Sequence, residues 1–234
     1  DIMKKIGLIG AYDKTDFILY VAKILSVLGK SVIVIDTTVT QKAKYVVPVI
    51  NPTKAYLTEY ETIDVAVGFN KMQEMREYLG LQEGEELQYD YALIDIDSPE
   101  AFNDFNMNEA TTSFFVTSFD LYALKRGLEV LSGLTENIKM TKVLFSKNML
   151  KEDDEYLDFL SIKYKVEWEK EKIYFPFEQG DQSIIIDNQR AAKIKLKNLS
   201  TAYKEGLVSM VTHILPETSY SEAKKALRVA EKGA

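Results

Sequence analysis

No cysteine occurs among the 234 residues, so a disulfide framework, a thiolate metal site and a cysteine nucleophile are all excluded. The chain carries a single histidine, His213, from which neither a His-based triad nor a zinc site can be built. It falls beside the apolar stripe of its segment, as a surface residue would. Glycine and proline are sparse, at 11 and 5, and no linker, low-complexity tract or internal repeat is visible. No apolar run reaches the ~18 residues that a membrane-spanning helix needs. No signal peptide is recognisable, and Met3 reads as the native start, so a cytoplasmic protein is expected. The net charge of −7 argues against nucleic acid as a partner.

What is present, 46% hydrophobic and 28% charged residues, suffices for one α/β core. The expected organisation is a single domain over residues 3–216, with 217–234 a C-terminal helical tail of that domain. The chain is organised around Lys4 to Asp36. An apolar run, Ile6 to Ile9, leads through a short turn into a helix with Phe17, Ile18, Val21, Ile24, Leu25 and Leu28 on one face. Gly29 suits the position just past the helix, and Ser31 to Ile35 is a β-branched strand ending at Asp36. Strand, helix and strand make a βαβ unit with parallel strands. The turn between first strand and helix is where such folds bind anions, because unpaired helix N–H groups point into it.

That turn holds Gly10, Asp13, Lys14 and Thr15. A phosphate-binding loop reads Gly-x-x-x-x-Gly-Lys-Ser/Thr. Lys14-Thr15 fits its end, but the two glycine positions hold Leu8 and Asp13, so the loop is both substituted and shortened. A carboxylate about 4 Å from a phosphate costs ~4 kcal/mol at an effective dielectric of 20, comparable to the gain from one lysine. Asp13 equally suits an N-cap, which would occupy the N–H groups that phosphate needs. Lys14 and Thr15 are then ordinary first-turn residues, and the two readings stay open.

Further along, Pro48 confines Tyr45 to Ile50 to an edge strand or extended loop. Thr62 to Phe69 reads as a strand, followed by a helix capped by Asn70 and carrying Met72, Met75 and Leu79. Tyr89 to Pro99 is a buried strand whose carboxyl end holds Asp95, the edge where open α/β sheets bind ligands. Asp36 and Asp95 alternatively just end their strands in solvent. Strands at 114–116 and 141–145 follow, with helices at 120–134 (buried stripe Leu121, Leu124, Leu128 and Leu131) and 153–160. Tyr164 to Glu169 alternates as a strand with one wet face, and Ile173 to Phe177 is a short apolar segment. A helix over 199–215 ends at Pro216. Ser221 caps a last helix that is expected to be loosely held, and whose thin apolar face argues against a membrane contact.

In order and spacing these segments resemble the deviant-Walker P-loop ATPases of the MinD/ParA family, in pilus-localisation forms such as TadZ and CpaE. The resemblance rests on Lys14 to Asp36 with Gly29-Lys30, on Tyr89 to Pro99, on Phe115 to Leu134 and on Tyr174 to Phe177. It implies a three-layer α/β sandwich with a mostly parallel sheet and helices on both faces. It also implies that Lys14 meets phosphate, that Thr15 and Asp95 serve Mg²⁺, and that Asp36 and Asp95 position metal-bound water. The chain departs from the family at three places. The extra lysine near the loop start has no counterpart at Ile9 or Gly10, Asp13 replaces a glycine, and Asp16 stands where a small hydroxyl residue is usual. Phosphoryl transfer is mostly positioning and charge neutralisation. The expectation is therefore a non-hydrolysing pseudo-ATPase without cofactor. It would serve as a scaffold or localisation factor for a bacterial pilus, secretion or positioning system, through protein partners and a homodimer. A slow ATPase switch using ATP and Mg²⁺ is the second reading. A receiver-like or flavodoxin-like interaction module is the third, disfavoured if the first strand lies centrally beside the Tyr91–Asp95 strand.

Overall fold

The computed structural model describes residues 2–50, 53–148 and 150–233. Among them the elements run β1 (Lys4–Ile9), α1 (Thr15–Val27), β2 (Val32–Asp36), α2 (Ala43–Val46), β3 (Tyr56–Tyr60), β4 (Ile63–Val67), α3 (Met72–Tyr78), β5 (Tyr91–Ile96) and α4 (Pro99–Asp104). They continue with β6 (Thr112–Thr117), α5 (Leu121–Val130), β7 (Ile138–Phe145), α6 (Lys151–Ser161), β8 (Val166–Phe175), α7 (Gln179–Ala191), α8 (Thr201–Ile214) and α9 (Tyr220–Glu231). One eight-stranded sheet has the order β3-β4-β2-β5-β1-β6-β7-β8. All neighbours are parallel except β3 and β4, which form an antiparallel hairpin.

Helices cover both faces. One core layer joins the sheet to α1, α8 and α9 through Phe17, Leu25, Leu207 and Leu227; the other joins it to α3, α4 and α5 through Met75, Phe102 and Leu128. The α/β sandwich is as expected. β1 lies centrally, between β5 and β6, which disfavours a receiver-like or flavodoxin-like module. The β1–α1–β2 unit is parallel as expected, with β5 inserted between its strands. Because β1 feeds α1 on one face and β5 feeds α4 on the other, a crevice opens at the carboxyl ends of β1 and β5.

Several elements differ from the sequence reading. α1 is buried nearly all round, with Phe17 to Leu25 inaccessible, because α8 and α9 cover its outer side. α9 is therefore not loose: Ala223, Ala226, Leu227 and Ala230 are all buried. Its cap is Ser219, in a capping box with Glu222, rather than Ser221. Residues 43–46, before Pro48, form a helical turn rather than a strand. The N-cap of α3 is Lys71, not Asn70, and Leu79 is 40% exposed. Leu121 begins α5 on its exposed side. β8 is one strand where two segments were expected, with an irregularity opposite Met140 and Lys142. β3 and α7 are elements the periodicity did not show.

Candidate functional site

A cavity of about 410 Å³ sits in this crevice, lined by the turn 11–15, by Thr38, Thr40, Lys42 and Tyr45 after β2, by Asp95 near the end of β5 and Asp97 just past it, and by Tyr122 and Arg126 of α5. The turn has only five residues between Ile9 and Thr15, because Leu8, where a phosphate loop has its first glycine, is a fully paired residue of β1. Gly10 turns the chain out of the strand at φ +142°, and a Cβ there would lie 2.2 Å from the Val116 carbonyl oxygen. Only glycine meets both conditions.

Tyr12 and Asp13 do not fill the turn. Tyr12 leans away onto Phe145, with ring centroids 4.6 Å apart, and towards Phe177. Asp13 stands at the rim. Its Oδ1 accepts a hydrogen bond from the Thr15 N–H at 3.2 Å and its Oδ2 pairs with Lys42. The N-cap of α1 is Lys14, one residue later than a capping Asp13 would require, yet Asp13 still engages the first helical N–H.

Lys14 is 2% exposed and its ammonium turns inward. It donates to the Gly10 carbonyl at 2.5 Å and to the Tyr12 carbonyl at 3.4 Å, and it lies 2.8 Å from Asp95 Oδ1. Among the described residues that oxygen has no aligned hydrogen-bond donor, so its contact with Lys14 is an ion pair only. Burial pushes the Asp95 carboxyl up to about 7; the Lys14 charge opposes the shift and the Asp36 charge adds to it. Asp97 is raised too, by burial first. Asp16, on the first turn of α1 and beside the cavity, is pushed up to about 6 by burial, although Gln189 donates to both its oxygens at 2.9 and 3.1 Å.

Asp36 does not line the cavity. Its oxygens accept from Thr38 N (2.9 Å), Thr38 Oγ1 (2.5 Å) and Ala43 N (3.0 Å), which folds the loop after β2 and starts α2. Thr15 is buried in the wall, and its hydroxyl makes no hydrogen bond among the described residues. The structure thus brings together Gly10, Asp13, Lys14, Thr15 and Asp95, and leaves Asp36 as an organiser of the neighbouring loop. Lys42, Arg126, Tyr45 and Tyr122 were missed. They belong to a polar turn and to the exposed side of a helix, where nothing in the local pattern separates a site residue from a solvated one.

The groups that would meet Mg²⁺ and a triphosphate are engaged with one another in this structure. The lysine that would meet phosphate is already neutralised by the carboxylate that would serve the metal. Among the described residues no cluster of three or more acidic or histidine side chains could hold a metal ion.

No family model matches the chain, and no curated protein matches it in sequence. Solved structures do resemble it. A ParA family ATPase from Chlorobium tepidum superposes with a TM-score of 0.59 at 11% identity, covering 91% of this chain and 99% of that one. A putative plasmid partition protein from Borrelia burgdorferi bound to AMPPNP gives 0.56 at 11% identity, over 93% and 99%. The MinD cell division protein of Aquifex aeolicus gives 0.54 at 15% identity, over 93% and 98%. At such identities the likeness is one of fold, and the chain has the α/β fold of the ParA/MinD P-loop ATPases.

Proposed function

We propose that this chain is a pseudo-ATPase, a ParA/MinD-type fold that works as a bacterial scaffold or localisation factor and does not turn over ATP. One observation carries the reading: each cationic side chain lining the cavity already has a carboxylate partner inside the protein. Lys14 pairs with Asp95, Lys42 with Asp13, and Arg126 with Glu129. Mg-triphosphate would arrive with about two negative charges and find its one buried cation, Lys14, already paired, while Lys42 and Arg126 are held only by exposed pairs worth ~0–1 kcal/mol. Recruiting Lys14 would strand Asp95 in the interior, and breaking a buried pair costs ~3–5 kcal/mol. The short turn also offers fewer backbone N–H groups than a full phosphate loop, and Asp13 takes one of those that remain.

Plasmid partition and cell division, the tasks named for the neighbours, are positioning tasks. A comparable task for this chain, performed through protein partners at a pilus or secretion machinery, follows from the resemblance of its sequence to TadZ and CpaE forms. A slow Mg-ATPase is the second reading, favoured by the open cavity and the unengaged Thr15 hydroxyl. Titration with a fluorescent ATP analogue and Mg²⁺ separates the two. No saturable binding is expected; saturable binding that disappears in Lys14→Ala establishes the second reading instead. Asp13→Gly alone is expected to give no hydrolysis, because the turn stays short, and robust turnover in that variant would contradict this account of the loop.

A further inference from the structure

An ordinary surface helix buries its apolar stripe and wets its polar one. α6 reverses much of that pattern. Its buried positions are Asp154, Leu157 and Ser161. Asp154 Oδ1 lies 2.7 Å from the fully buried Lys142, which also pairs with Asp158, and Lys172 pairs with Asp154. Ser161 Oγ accepts from Trp168 Nε1 at 2.9 Å. With the inner face held by ions and hydrogen bonds, the large apolar residues point out: Tyr156, Phe159 and Ile162 are 41%, 68% and 77% exposed.

The charges around that patch are ordered. Glu152 precedes it, Lys163 follows it, and both are exposed. At 100° per residue, Glu152, Tyr156 and Phe159 of α6 fall within one outward stripe, and Lys163, two residues past the helix end in a turn that Ile162 enters with helical angles, continues it. Residue numbers 152 and 163 have the same sum as 156 and 159. A second α6 laid antiparallel across a two-fold axis therefore sets Glu152 against the copy's Lys163 and Tyr156 against the copy's Phe159 at the same time. Such self-complementarity is what an isologous interface demands.

We propose that the outer face of α6 is a self-association surface, on which two copies of this chain pack their α6 helices antiparallel through Tyr156 and Phe159, flanked by Glu152–Lys163 pairs. The face is remote in sequence from the cavity-lining turns, and the association requires no nucleotide. Two three-turn helices cover less than the ~1,200 Å² of a standard interface, so the dimer is weak.

Sedimentation equilibrium up to about 1 mM chain tests this, with far-UV circular dichroism confirming that each variant is folded; every altered side chain is exposed. The wild type is expected to dimerise reversibly. Phe159→Ser abolishes the dimer. Glu152→Lys and Lys163→Glu each weaken it at least tenfold, because each alone sets like charges opposite one another. An equimolar mixture of those two variants restores near wild-type association, since only the heterodimer regains both opposite-charge pairs. A wild type that stays monomeric at the highest concentration overturns the proposal, leaving the patch to a different occupant. A dimer indifferent to these substitutions, or a mixture that fails to recover, overturns it as well.

Discussion

Asp95→Asn is expected to gain stability relative to the wild type as the pH rises, on top of a pH-independent cost for taking the carboxylate partner from the buried Lys14. The Asp95 carboxyl is buried and pushed up from 3.8 to about 7, by burial above all, with Lys14 opposing. Between those two values the folded chain holds a proton that the unfolded chain has released. Stability therefore falls as pH rises through the window, and the loss is complete above pH 7. At 1.36 kcal/mol per pH unit, the full loss is on the order of 4 kcal/mol. Roughly 1.7 kcal/mol of it has been incurred by pH 5. Asparagine keeps the shape and never ionises, so the variant escapes the loss, while Lys14 keeps the Gly10 and Tyr12 carbonyls as acceptors. Asp16 titrates with the same sign but is present in both proteins and cancels in the difference. Urea unfolding at pH 5 and pH 8, followed by the fluorescence of Trp168 and by circular dichroism, should show the variant's stability relative to the wild type rising by about 2–3 kcal/mol between the two. A difference that stays constant between pH 5 and pH 8 would mean that Lys14 compensates the charge in full and that the site is not strained.

Two further perturbations probe the frame around the cavity. Gly10→Ala must force a Cβ to within 2.2 Å of the Val116 carbonyl oxygen at φ +142°; a loss of more than ~3 kcal/mol is expected, read as a collapse of the melting temperature or of soluble yield, and a near-neutral variant would show that the turn relaxes freely. Leu227→Ala tests whether α9 belongs to the core: Leu227 is 4% exposed, so a cost of ~2–5 kcal/mol is expected in denaturant titration, whereas a helix held loosely would lose almost nothing.

The framework of the fold was legible because its signals are local. β1, α1, β2 and β5 are apolar runs with the right period and length, and Gly29 marks the end of α1 by its positive φ of 82°. The elements that escaped are held by contacts periodicity does not report. α7 has no apolar stripe because polar groups anchor it: Asp181 accepts from Ser200 N at 2.6 Å, and Asn188 donates to the Tyr20 hydroxyl at 2.9 Å. β3 escaped because Glu61, not a glycine, supplies the left-handed turn residue of its hairpin, at φ +56°. That strain is supported from afar, where Glu61 pairs with the buried Lys23 of α1 and accepts from the Ile194 N–H at 2.7 Å. The last helix was misjudged for a related reason. Alanines make a weak hydrophobic signal in sequence, but they let α9 approach α1 closely enough to complete the layer.

The site follows the same division. That Lys14 and Asp95 would converge was readable, since each closes a strand or opens a helix at the carboxyl edge of one sheet. That they would neutralise each other, and that Lys42 would do the same for Asp13, was not, because the loops carrying these side chains have no sequence periodicity. The pairing also bears on what kind of protein this is. A nucleotide switch needs two states that differ in their affinity for the ligand. Here the charges that triphosphate would satisfy are satisfied without it, so the arrangement around the cavity is already the one in which every cation is matched. On the proposed reading such a site gives a nucleotide no state to select, which is what a permanent scaffold needs and a timer does not.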